Sequence, residues 1–209
     1  MNKLQSEFGI ADTEVLSREV CHRGFLQLER LQLRHQLFNG GWSEVIEREV
    51  LIKGQAVGVL LYDPVREEVV LVRQFRVGAL DEAQSPWLLE LVAGMVGEGE
   101  ELIEVASREA QEESNCSPEN LTEISSYYNS PGTSNGKISL FCGQVDASAA
   151  GGVFGLAQEH EDIQVVSLPL NDAIAAVNAG LINNAMTMVA IKQRRIDTAL
   201  APDILRGFE

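Results

Sequence analysis

Between Gly94 and Cys116 the chain reads GMVGEGEELIEVASREAQEESNC, a stretch denser in glutamate than a structural helix needs. On a helical wheel of about 100° per residue, Leu102, Ile103, Val105, Ala106 and Ala110 share one face. Glu104, Ser107, Arg108 and Gln111 take the other. Glu109 and Glu113 break that division, because they stand one turn apart within the apolar stripe. Two carboxylates turned toward a core repel each other and are costly to desolvate. The wheel leaves two resolutions open. Either the helix end frays and both groups reach water, or a divalent cation lies between them, and hard oxygen donors with water completing the shell suit Mg²⁺.

The elements around this helix read as α+β. Ala56–Tyr62 (AVGVLLY) is an apolar run of a buried strand, Asp63-Pro64 opens a turn, and Glu68–Phe75 is the hairpin partner. Trp87–Val92 reads as one short strand ending in Ala93-Gly94, and Glu101–Ser114 as the helix. Ile138–Val145 and Ile163–Leu168 are further strands. After Pro169 come two helices, Asp172–Ala179 and Asn184–Arg195, with Gly180 as a stop between them. Strands and helices are mixed without βα repetition, which argues α+β rather than a doubly wound parallel sheet.

Ahead of this domain, Phe25–Phe38 alternates with period two but slips at Glu29-Arg30, where a bulge or hairpin is expected. Asn39-Gly40-Gly41 is a turn, and Trp42–Ile52 reads as a strand. The boundaries are therefore 1–52 for a small β-rich domain and 53–209 for the main one.

Sixteen basic residues face 31 acidic ones, a net charge of −15, which argues against nucleic-acid binding. Cys21, Cys116 and Cys142 are scattered and odd in number, which points to a reducing, cytoplasmic setting. No apolar window is long enough for a membrane span, and the N-terminus lacks the pattern of a signal peptide. His22, His35 and His160 have no zinc-site spacing.

The glutamate-rich segment fits G-x5-E-x7-R-E-U-x-E-E-x-G-U, where U is bulky and apolar, and so resembles the Nudix hydrolases. Gly94, Glu100, Arg108, Glu109, Glu112, Glu113 and Cys116 take the fixed positions. Ala110 is smaller than the first U asks. Asn115 replaces the last glycine, and Asn is the next best residue for a left-handed helix end. The resemblance implies an α/β/α sandwich with a mixed sheet. It implies that Glu109, Glu112 and Glu113 bind metal, with the Ala93 carbonyl as a further ligand. It makes Gly94, Glu100 and Arg108 structural, with Glu100 and Arg108 pairing the loop to the helix. Arg108 also precedes Glu112 by one turn, so a purely local ion pair stays open.

Pro131 in SPGTSNGKI, about fifteen residues beyond Cys116, is similar in placing to a proline of the ADP-ribose pyrophosphatase subgroup. DPVREEVVLVRQFRVGA, PWLLELVAGM and GLAQEHEDIQV resemble the same subgroup. That likeness implies substrate contacts by Arg76, adenine contacts by Arg48 and Glu49, and stacking of Phe25 on the base from a partner subunit. It also implies a catalytic base on the loop after GGVFGLA, with Glu161 chosen and Glu159 in reserve, acting with Glu112 and the other metal carboxylates. The expected reaction is Mg²⁺-dependent hydrolysis of ADP-ribose to AMP and ribose 5-phosphate, with Mn²⁺ as an alternative ion, in a domain-swapped homodimer. The competing expectations are another nucleoside diphosphate sugar such as GDP-mannose, or a nucleotide sensor that does not cut.

Overall fold

The computed structural model describes residues 4–82 and 84–200. They divide into two units, residues 4–54 with Tyr128–Gly136, and residues 55–127 with 137–200.

The first unit is a three-stranded antiparallel sheet of β1 (Thr13–Arg23), β2 (Gln27–His35) and β3 (Ile46–Ile52), in that order. The β1–β2 hairpin turns at Gly24–Leu26, where the Gly24 N–H donates to the Leu26 carbonyl (3.0 Å). β2 runs unbroken through Glu29 and Arg30, contrary to the expected slip. The extra residues lie on β1 instead, one between Val15 and Ser17 and one between Val20 and His22, the second opposite Leu28 and Glu29. Glu29 is buried at an inward position that alternation would give to an apolar residue, and Arg18 and Gln27 both donate to its carboxylate. Those charge-assisted bonds let a carboxylate take a core place.

Asn39–Gly41 forms the expected turn, with Gly40 and Gly41 at φ +86° and +79°. β3 starts at Ile46 rather than Trp42, because Trp42 makes only an isolated bridge to Gln36 and lies 5.0 Å from the Arg34 guanidinium. The loop containing Pro131 is tied to the end of β3. The Leu51 N–H donates to Thr133 O (2.8 Å), and Asn135 Oδ1 accepts from the Lys53 and Gly54 N–H groups.

The second unit is built on β4 (Gln55–Asp63), β5 (Glu68–Phe75), β6 (Trp87–Glu90), β7 (Val92–Met95), α1 (Leu102–Ser114), β8 (Glu119–Tyr128), β9 (Lys137–Gln144), β10 (Gly152–Phe154), β11 (Ile163–Pro169), α2 (Leu170–Asn178) and α3 (Ala185–Leu200). Its mixed sheet runs β10-β11-β5-β4-β9-β8, with β6 beside β5 and β7 beside β4. β4 and β9 are parallel, whereas β5 is antiparallel to β4, β6 and β11. α1 covers one face, packing on Val57, Val59, Val72 and Val92. α2 and α3 cover the other, packing on Leu60, Leu71, Leu91 and Leu140. Each fully buried Val, Leu or Ile contributes roughly 1.5–3 kcal/mol, and β4 lies in the centre with every residue from Val57 to Asp63 buried. The three layers are the expected α/β/α sandwich in an α+β chain, with a separate N-terminal β sheet.

The expected single strand Trp87–Val92 is two strands. At Leu91 the backbone leaves β5 for β4, and its N–H donates to the buried Thr187 Oγ1 (2.9 Å) instead of continuing a ladder. Asn184 Nδ2 donates to Leu89 O (2.7 Å), so the first turn of α3 braces the crossing. Among the described residues no helix is long and apolar enough to cross a membrane.

Candidate active site

α1 places its carboxylates by ordinary amphipathic packing. Val105, Ala106 and Ala110 are fully buried against the sheet, and Glu113 continues that face at 3% exposure. Ile103, expected on the same face, is exposed because it lies at the edge of the stripe in the first turn. The helix ends at Asn115 with φ +54°, and its N–H donates to Gln111 O (3.0 Å) while the Cys116 N–H donates to Ala110 O (3.3 Å). This left-handed end satisfies the last carbonyls and turns the chain away directly after the acidic pair.

The loop before α1 is shaped for these groups. The Ala93 N–H donates to Glu113 Oε2 (3.0 Å), and the Gly97 N–H donates to Glu100 Oε2 (2.7 Å). A Cβ on Gly94 would collide with the carboxyl group of Glu109. We therefore expect Gly94→Ala to push Glu109 aside, lower thermal stability by about 1–3 kcal/mol as overpacking does, and reduce turnover at least tenfold. Calorimetry and steady-state rates on the same preparation check both effects, and an unchanged rate would contradict the packing argument.

Arg108 gathers three carboxylates, at 2.9 Å from Glu109, 3.0 Å from Glu112 and 3.8 Å from Glu100. The loop-to-helix pair with Glu100 and the local i,i+4 pair with Glu112 therefore coexist. Burial pushes Glu113 up to about 8, with the negative charges of Glu109 and Glu161 adding to it and the Ala93 N–H and Arg76 opposing it. Burial likewise pushes Glu109 up to about 7, aided by Glu112 and Glu161 and opposed by Arg108. Three carboxylates from two elements thus share one field: Glu109 and Glu113 on α1, and Glu161 on the loop before β11.

These shifts make stability depend on pH. Both folded carboxyls hold their protons above the ordinary value of 4.5, so the native state binds more protons than the unfolded chain from there up through about pH 8. Stability must fall as pH rises across that window. The expected result in EDTA is an unfolding temperature that declines from about pH 5 to about pH 8.5, with a shallower decline in Glu113→Gln. A flat wild-type profile would contradict the burial of the pair.

Glu161 is half-buried and accepts the Leu156 N–H at Oε2 (2.9 Å). Gly155, at φ +105°, is needed here, since a Cβ there would come within 2.6 Å of Glu161 Cβ. Glu159 is exposed on a single 3-10 turn, Ala157–Glu159. Arg76, just beyond β5, donates from Nε to Glu90 Oε2 (2.7 Å), and burial raises the Glu90 carboxyl despite that partner. Glu90 and the Leu156 N–H escaped the sequence reading, because a lone acid ending WLLE and a loop amide carry no pattern.

Phe25, Arg48 and Glu49 belong to the N-terminal unit. Phe25 is fully exposed at the β1–β2 turn, Arg48 donates to the Glu47 carbonyl (2.7 Å), and Glu49 lies 3.4 Å from Arg30.

As placed, no three His, Cys, Asp or Glu side chains among the described residues form a ligating array, since Glu109 and Glu112 both lean on Arg108. The donor set nevertheless fits a hard divalent cation. It is all oxygen, and the buried Glu113 carboxylate carries a cost of ionisation that a cation would remove.

A family model described as NUDIX domain matches residues 52–185. A curated ADP-ribose pyrophosphatase from Escherichia coli strain K12 is 42% identical over 191 residues, covering 91% of each chain. A GDP-mannose pyrophosphatase from Pectobacterium atrosepticum is 31% identical over 198 residues, covering 90% of this chain and 94% of the other. A crystal structure of an ADP compounds hydrolase superposes with a TM-score of 0.69 at 21% identity, covering 91% of this chain and 96% of that one, which is a likeness of fold.

Proposed function

This chain belongs to the Nudix family, and on that premise we propose that it hydrolyses the diphosphate bond of ADP-ribose, releasing AMP and ribose 5-phosphate. The observation that carries the reading is the acidic pair of α1, with Glu113 buried on the Ala93 N–H and Glu109 seated against Gly94. The greater identity to the ADP-ribose pyrophosphatase than to the GDP-mannose pyrophosphatase supports the choice of substrate.

Glu109, Glu112 and Glu113, with the carbonyl of Ala93, would hold Mg²⁺, with Mn²⁺ as its substitute. Such a cation neutralises diphosphate charge and acidifies water. Glu161 takes a proton from the attacking water as its oxygen bonds to one phosphorus. The bond from that phosphorus to the bridging oxygen breaks, and the other phosphate leaves with the bonding pair. Arg76 offers a guanidinium fork to the diphosphate and keeps its orientation through Glu90. Gly94 leaves room for Glu109, while Arg108 and Glu100 keep the loop on the helix.

The N-terminal unit leaves Val15, Val20, Phe25, Phe38 and Val45 exposed, which supports a homodimer formed by exchange of this sheet. In that dimer Phe25, Arg48 and Glu49 serve the adenine. Gel filtration with light scattering should give twice the chain mass, and a well-folded monomer at micromolar concentration would contradict it. The unpaired cysteines suit the cytoplasm, and the acidic surface suits a small-molecule substrate rather than nucleic acid or membrane.

The function is tested by comparing kcat/KM for ADP-ribose, GDP-mannose, NADH and diadenosine polyphosphates with Mg²⁺. ADP-ribose should lead by at least roughly tenfold. Preference for another member would reject the substrate and keep the chemistry. Tight binding without turnover would reject hydrolysis in favour of a sensor.

A further inference from the structure

Gln74 is a buried amide with no role in the reaction as described above. It is 7% exposed, and its Nε2 has no hydrogen-bond partner among the described residues. A buried amide N–H left unpaired costs about 1–3 kcal/mol, and an apolar residue at this place would be more stable. Val70 and Val72 on β5 bury in the α1-side core. Strand alternation puts Gln74 on the same face, one step nearer the catalytic end.

Its neighbours are set by register. Arg73 pairs with Gln164 on β11, and β11 begins one residue earlier at Ile163, so the loop carrying Glu161 enters the sheet beside the Gln74 end of β5. On the other side Gln74 pairs with Leu88 on β6, with Glu90 as its diagonal. Glu90 is held by Arg76, while among the described residues the Glu161 carboxylate accepts only the Leu156 N–H, on one oxygen.

We propose that Gln74 is a positioning residue that donates from Nε2 to the Glu161 carboxylate during turnover and fixes it toward the attacking water. The inference rests on the proposed hydrolysis and on Glu161 as its base. It explains why a polar side chain occupies a core place at a loss of stability. In that arrangement the loop from Gly155 to Asp162 brings Glu161 under two donors, the Leu156 N–H that it already accepts and the Gln74 amide.

The test is a double-mutant cycle on the full chain with ADP-ribose and Mg²⁺, using Gln74→Met, Glu161→Gln and both together. Met keeps the shape of Gln and removes the donor. Gln74→Met should lower kcat by about 10- to 100-fold with KM within about threefold, and should leave the unfolding temperature equal or higher. In the Glu161→Gln background the same change should cost less than about twofold, because groups acting as one unit are not additive. A normal kcat in Gln74→Met beside a slow Glu161→Gln overturns the inference alone. So does a full additive loss in the double variant. A fast Glu161→Gln, or an inactive wild type, overturns the base assignment and the inference with it. Should Gln74→Met fold poorly, Gln74→Leu carries the same cycle, and a parallel loss of stability and rate in both variants marks Gln74 as structural.

Discussion

Glu113→Gln is expected to lower ADP-ribose turnover by roughly 10²- to 10³-fold or more while leaving the protein folded. The carboxylate is 3% exposed and accepts the Ala93 N–H, so its environment holds the side chain rigidly. A glutamine oxygen can still accept from Ala93, which keeps the loop in place. What is lost is the negative charge, and with it the anionic oxygen that the proposed cation needs. Removing a buried charge whose carboxyl is pushed up to about 8 also relieves strain on the fold. In EDTA at about pH 8.5 the variant should therefore unfold at a higher temperature than the wild type, and Mg²⁺ should raise that temperature less. Loss of activity with loss of stability would make Glu113 structural, and a near-normal rate would remove it from the site.

The second large effect separates two neighbouring acids. Glu161→Gln should lower kcat by roughly 10²- to 10⁴-fold, as loss of a general base does, with KM changed only a few fold. Glu159→Gln should stay within about twofold of the wild type. Glu161 is tied to the Leu156 N–H and its charge bears on both Glu109 and Glu113, whereas Glu159 stands exposed on its 3-10 turn. Rapid-quench measurement of the chemical step on each variant reads the difference without interference from product release. The reverse ranking would transfer the role of base to Glu159.

The parts of the fold that could be read from sequence are those in which short-range pattern and final environment agree. α1 is legible because Val105, Ala106 and Ala110 bury on one stripe, and its acids are legible because they intrude on that stripe. β4 is legible because both its faces are covered, so its apolar run is continuous. β1 is not, since Val15, Leu16 and Val20 are exposed and leave no buried alternation to detect. β8 was missed for another reason. Leu121 packs toward the α1-side core while Ile124 and Tyr127 pack toward the other, so its apolar residues recur every third position and lose the period of a strand. Glu29 looked like a slip because its partner, Arg18, lies on the neighbouring strand. The crossing at Leu91 depends on Thr187, far away in sequence.

The candidate site divides along the same line. The motif residues from Gly94 to Cys116 lie on one continuous loop and helix, and their mutual placing is a property of local geometry. Arg76 with Glu90, and Glu161 with the Leu156 N–H, are brought in by strand register and a glycine turn. No spacing rule links those positions to α1.

The central claim is tested most directly by following ADP-ribose through chromatography after incubation with the purified protein and Mg²⁺, with and without excess EDTA. The account predicts AMP and ribose 5-phosphate in equal amounts, and no cleavage once the divalent cation is removed. Intact ADP-ribose in the presence of Mg²⁺, or cleavage that proceeds undiminished in EDTA, would contradict it.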